Sequence, residues 1–71
     1  MLKRDELSQP DSCLNKAGDD ELIFVLLARD PAAADTVRYW AARRVELGLN
    51  TADHPKILSA YEWVRQAEQQ E

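Results

Sequence analysis

Seven consecutive apolar residues, Leu22 to Ala28, form the one continuous apolar block of the chain. Arg29, Asp30 and Pro31 follow at once. A run of this length suits a buried strand or a buried helix, and periodicity alone does not separate the two. Ile23, Phe24 and Val25 favour a strand. A strand would find no partner here, because the chain holds no second β-like run. It would have to pair with a second copy across a dimer. Asp19 or Asp20 as N-cap, Glu21 in the first turn and Arg29 in the last favour a short helix instead. Helix is the preferred state for residues 20–29, since it needs no missing partner. Phe24 and Leu26 are then expected in the core or an interface.

Asp30-Pro31 marks the next start. Proline disfavours αR at the residue before it, so any preceding element ends by Asp30. Asp30 is placed to cap a helix whose N1 is Pro31, where the missing N–H costs nothing. Ala32, Ala33 and Ala34 are the best helix formers. Val37, Trp40, Ala41 and Leu47 trace an apolar stripe. Arg43 and Arg44 suit the negative end of the helix dipole, and Gly48 suits the C′ position with Leu49 packing back. The spacing predicts a helix over 31–47. In the loop that follows, Thr51 or Asp53 is a candidate cap, and Pro55 repeats the proline-at-N1 logic. A second helix is predicted over 54–69. Ile57, Tyr61 and Val64 form one stripe, Ala60, Trp63 and Ala67 its neighbour. The terminal QAEQQE should fray. Two helices joined by a short loop make an antiparallel hairpin. Trp40 and Trp63 are expected to fill the gap between them, and residues 19–29 to cover the open side. The fold class is mainly α.

The first twelve residues are polar, mixed in charge and broken by Pro10, which predicts a mobile arm over 1–12. Residues 13–71 would form a single small helical domain. A chain of 71 residues buries only about 60% of its unfolded surface. Such domains gain stability from disulfides, a metal or a partner. Cys13 is the only cysteine, so no internal disulfide forms. One cysteine and one histidine make no metal set. Self-association is therefore expected, and no cofactor or metal is. The net charge is −4, which is poorly suited to nucleic acid, whose binding draws on neutralised phosphates. No secretory signal is read in MLKRDELSQP, and a seven-residue apolar run does not span a bilayer.

Three side-chain sets are candidates for chemistry. Arg29 and Arg38 flank the Asp30-Pro31 corner, where free N–H groups and arginines would suit a phosphate or carboxylate. Arg43 and Arg44 extend the set. Arg38 and Arg44 lie about 600° apart around a helix and so point to different sides, which argues against one basic face. The alternative is a solvated face of local ion pairs. Tyr39, Trp40, Tyr61 and Trp63 form the second set. Val37, Trp40, Tyr61 and Trp63 are expected in core or interface, with Tyr39 available to stack on a ligand base. His54, beside Asp53, forms the third. An Asp-His pair suits acid–base work, yet no nucleophile motif and no glycine-rich phosphate loop accompanies it. A capping or loop histidine is the plainer reading, as a half-buried hydrophobe is for Cys13. No catalytic residues are expected.

The run from Ser12 to about Leu58 resembles a group of small proteins of tailed phages and prophages. The shared pattern is C-L-x-K-A, an acidic pair, F-V-L-x-A-x-D, and a helix with [VI]-R-x-W-A. It falls here on Cys13, Leu14, Lys16, Ala17, Asp20, Glu21, Phe24, Val25, Leu26, Ala28, Asp30, Val37, Arg38, Trp40 and Ala41. Members of that group often have proline where this chain has Leu22 and Ala34. The resemblance implies a phage origin, a cytoplasmic setting and no catalytic residues. The function expected is a non-enzymatic phage accessory protein that binds a host protein or a small anionic metabolite or nucleotide, counteracting host defence. Its rivals are a structural or assembly protein of the phage and a nucleic-acid-binding accessory protein.

Overall fold

The computed structural model describes residues 2–69. It is mainly helical, with four helices in the order α1 (Lys3–Ser8), α2 (Cys13–Lys16), α3 (Ala33–Glu46) and α4 (Pro55–Glu68). The helices pack as two pairs, α1 on α2 and α3 on α4. Among the described residues neither helix of one pair packs on a helix of the other. The radius of gyration is 12.9 Å, against about 11 Å for a fully compact domain of this length.

The α3–α4 hairpin is the expected one, and its ends follow from local chemistry. At the end of α3, Gly48 adopts φ 73°. Its N–H donates to the Val45 carbonyl, and the Leu49 N–H donates to the Arg44 carbonyl, both at 3.0 Å. Those are the two bonds of a Schellman motif, with glycine in the left-handed position it demands. The start of α3 differs from expectation. Asp30 does not cap it directly: its Oδ1 accepts the Ala32 N–H at 2.8 Å, and Asp30 and Pro31 form a turn ahead of the helix. Ala32 is the N-cap and offers no side-chain bond. At α4 the cap is neither Thr51 nor Asp53. The Nδ1 of His54 accepts the Lys56 N–H at 3.1 Å, with Pro55 inside the first turn. Thr51 and Asp53 instead bond each other. The frayed end expected for QAEQQE lies outside the described residues in its last two positions.

The core is a seam of small side chains. Ala33, Ala41, Ile57, Ala60, Val64 and Ala67 are buried. Ala41, Ile57 and Ala60 form one cluster, with Val37 and Val45 partly buried against it. On α4 the buried positions run 57, 60, 64, 67, the three-four alternation of a helix seam. On α3 the contact is through Ala33, Val37, Ala41 and Val45, four apart each time. The buried face of α3 runs through Ala41, and Trp40 stands one residue, about 100°, around the helix from it, which corrects the expected placing of Trp40. Its side chain is 41% exposed with the Arg44 guanidinium 5.5 Å above its ring. Tyr61 and Leu47 are also exposed, and Trp63 is half-buried.

The stretch expected as an arm, residues 1–12, carries α1, and a polar corner joins it to α2, which begins at Cys13 in the expected domain. Ser12, 4% exposed, donates its hydroxyl to the Glu6 carbonyl at 2.6 Å and accepts the Asn15 N–H at 3.2 Å. The Asn15 amide donates to the carbonyls of Glu6, Leu7 and Gln9. These are the carbonyls that a helix end leaves without intrahelical partners, so two side chains close α1 where Pro10 forbids its continuation. The signal lay in Ser12 and Asn15 standing just beyond Pro10.

Candidate functional site

Between the two helix pairs lies the apolar block, and its state is the main correction. Residues 20–29 are not a helix. Leu22–Leu27 run without helix, strand, turn or bend. Two turns define its ends. The Glu21 N–H donates to the Gly18 carbonyl at 3.0 Å, while Glu21 Oε1 accepts the Gly18 N–H at 3.0 Å. The Asp30 N–H donates to the Leu27 carbonyl at 3.0 Å. The acidic residues that would have capped a helix are thus used in a turn. A helix of ten residues with an apolar circumference also needs burial on all sides, and neither helix pair supplies it.

Among the described residues, the backbone N–H groups from Leu22 to Arg29 and the carbonyls from Leu22 to Leu26 have no protein partner. The side chains are similarly uncovered. Leu22 is 99% exposed and Phe24 85%, with Ile23, Val25 and Leu27 exposed as well. Phe24 is therefore not part of the monomer's core, and Leu26 is only half-buried. The segment does not cover the α3–α4 hairpin. It faces α1 and α2 across a cleft of about 640 Å³, walled on one side by Ile23 to Leu27 and on the other by Leu7, Cys13 and Leu14, with Lys3 and Glu6 at its rim. Cys13 is exposed there rather than half-buried. The Glu6 carboxylate accepts the Leu14 N–H at 3.1 Å and so holds the rim in place. A cleft mainly apolar, with a few polar groups at its edge, is the usual form of a binding site.

The arginines are distributed and mostly engaged. Arg38 donates to Asp35 at 3.2 Å and to Glu68, linking the start of α3 to the end of α4. The hydrogen bond to Glu68 is the chief cause that holds the Arg38 guanidinium above its ordinary value; loss of hydration opposes it, and the charges of Glu68 and Asp35 and the hydrogen bond to Asp35 add to it. Arg43 pairs with Glu46 at 3.7 Å. Arg44 donates to Asn50 and lies over Trp40. Arg29 has no ion-pair partner among the described residues. Tyr39 is exposed. None of Arg29, Arg38, Arg43, Arg44 or Tyr39 lines the apolar cleft, nor the shallower groove on α4 beside Leu58, Glu62 and Trp63. His54 and Asp53 lie in the loop, where His54 is a helix cap. Among the described residues no group of three or more His, Cys, Asp or Glu converges as a metal site. No helix of those residues is long and apolar enough to cross a membrane.

No family model, curated protein or solved structure matches this chain.

Proposed function

We propose that the chain is a non-enzymatic phage accessory protein, acting in the host bacterial cytoplasm as a homo-oligomer, that binds a host protein and so counteracts host defence. The resemblance of residues 12–58 to tailed-phage and prophage proteins motivates the setting. The observation that carries the binding role is the exposed segment Leu22–Leu27 beside its cleft. Apolar surface left in water forgoes roughly 25 cal/mol per Å², and contiguous exposed apolar patches mark interaction sites. A protein partner fits this surface better than a small anion does, because the cleft walls are apolar and three of the four candidate arginines already hold an internal partner.

The test is native mass spectrometry of protein purified gently from bacterial cells, on the natural chain and on Phe24→Asp. The expected result is a partner protein in fixed stoichiometry, lost in the variant while circular dichroism keeps its helical signal. Retention of a phosphate-bearing small molecule, lost on Arg38→Ala, would overturn the choice of a protein ligand. Chains that carry nothing in either form would overturn the binding role.

A further inference from the structure

The same segment defines how one copy meets another, which deepens the self-association in the function proposed above: one backbone edge pairs with the second copy, and the side-chain faces of the ribbon stay open to the host protein. We propose that two copies pair through Leu22–Leu27 as an antiparallel two-stranded ribbon, with Val25 facing Val25 of the second copy on the two-fold axis. Three independent observations lead there.

The first is unmet hydrogen bonding. Six consecutive residues present backbone donors, and five of them carbonyl acceptors, to nothing among the described residues. The segment carries no assigned turn or bend, contains no Pro and no Gly, and is rich in β-formers. Edge groups of this kind are a template for another strand.

The second is area. The accessible surface is 5944 Å² for a mass of 8.1 kDa. A folded monomer of that mass exposes about 4,500 Å². The excess, on the order of 1,400 Å², is more than the roughly 800 Å² per partner that a standard interface removes.

The third is charge, and it selects the direction. Asp19, Asp20 and Glu21 precede the apolar run, and Arg29 follows it. A parallel, in-register pair would set the three acids against their own copies and Arg29 against Arg29. An antiparallel pair brings the acids of each copy to the Arg29 of the other. A symmetric antiparallel pair requires one residue to face itself. With Val25 at that place, Ile23 faces Leu27 and Phe24 faces Leu26, so every pair inside the ladder is apolar. Centring on Phe24 instead would set Leu27 against the Glu21 carboxylate. Ala28 and Arg29 are the central residues of the turn that the Asp30 N–H closes on Leu27, so they and Asp30 fall outside the ladder, and Arg29 comes beside the acids of the other copy just beyond each end of it. Glu21 keeps Oε2 available, since Oε1 takes the Gly18 N–H, and Arg29 has no competing ion pair among the described residues.

A cysteine scan tests this directly. In a Cys13→Ser background, Val25→Cys, Ile23→Cys and Leu27→Cys are each incubated in a glutathione redox buffer, and disulfide dimers are counted on non-reducing gels and by native mass spectrometry. Facing residues of an antiparallel pair have Cα atoms about 4.5–5.5 Å apart, inside the span a disulfide bridges. Residues two places off the axis stand about 14 Å from their own copies at ~3.4 Å rise per residue. The expected result is crosslinking of V25C at least tenfold above I23C or L27C alone, and recovery of crosslinking when I23C and L27C are mixed. Amide hydrogen exchange of residues 22–27 should also slow at dimer-forming concentration. Equal crosslinking at all three positions would overturn the antiparallel pairing in favour of a parallel pair or random collision. A dimer in native mass spectrometry that crosslinks at none of them would overturn this interface and leave self-association standing. A monomer at every concentration would overturn both.

Discussion

Gly48 offers a test in which the structure separates backbone strain from crowding. The residue sits at φ 73°, and a Cβ built on it would meet no atom within 4 Å. An L-alanine there suffers only the left-handed backbone cost, about 1–2 kcal/mol. Against it stands the gain from a stiffer unfolded chain, about 0.4–1 kcal/mol. Gly48→Ala should therefore destabilise the hairpin by about 0.5–1.5 kcal/mol. For a domain of this size that lowers Tm by roughly 2–12 °C, taking about 4–8 °C per kcal/mol. A D-alanine at position 48, reachable by chemical synthesis, prefers positive φ. It should keep the entropic gain without the strain, and so stabilise by up to about 1 kcal/mol. Gly48→Asn should fall between glycine and L-alanine, because asparagine tolerates the left-handed region. The assay is urea unfolding followed by circular dichroism at 222 nm and tryptophan fluorescence. If D-alanine destabilised as much as L-alanine, the space around Gly48 would be decisive and the Schellman reading of this turn would be refuted.

Three further outcomes follow from the same structure. Ile57 is 1% exposed, so Ile57→Ala should cost about 2–5 kcal/mol and Ile57→Val about 0.5–1.5 kcal/mol, measured as loss of helical signal or a shifted urea midpoint. His54→Ala should cost about 1 kcal/mol by removing the acceptor for the Lys56 N–H, while His54→Ser should restore it, since serine is a preferred cap. Glu62 is held below its ordinary value of 4.5, chiefly by the hydrogen bond from Arg65. Its contribution to α4 is therefore complete above that ordinary value and fades as pH falls through the lowered one. An acid titration of α4 helicity in the natural chain and Glu62→Gln should show a difference at neutral pH that closes at low pH.

What the sequence made legible was mostly local. Gly48 announced the end of α3, because only one residue type takes a positive φ cheaply. Pro55 and the stripes Ile57, Tyr61, Val64 and Ala60, Trp63, Ala67 announced α4, although the buried seam takes Ile57 and Val64 from one and Ala60 and Ala67 from the other. The seam on α3 was harder to see. Val45 was absent from the expected stripe, which took the bulkier Trp40 and Leu47, yet it packs with Val37 against the buried cluster while Trp40 and Leu47 are exposed. The His54 cap was masked by Thr51 and Asp53, which are better caps in general but bond each other here. The apolar block carried the deepest ambiguity. Its state depends on what lies against it, and in the monomer very little does. For the candidate site, the run itself was visible at once, whereas the wall made by Leu7 and Leu14 required the corner that Ser12 and Asn15 fasten.

The alanine seam between α3 and α4 has a thermal consequence. A seam in which four of the six buried side chains are alanine methyl groups hides little apolar surface, and it is the exposure of such surface that raises heat capacity when a chain opens. The hairpin should then fall below the usual ~12–15 cal/mol/K per residue. Its stability would change little with temperature over the range where bacteria grow, and melting would be broad rather than abrupt. A chain built this way depends less on warmth to hold its hairpin together than one with a large oily core does, and it would lose structure gradually on heating.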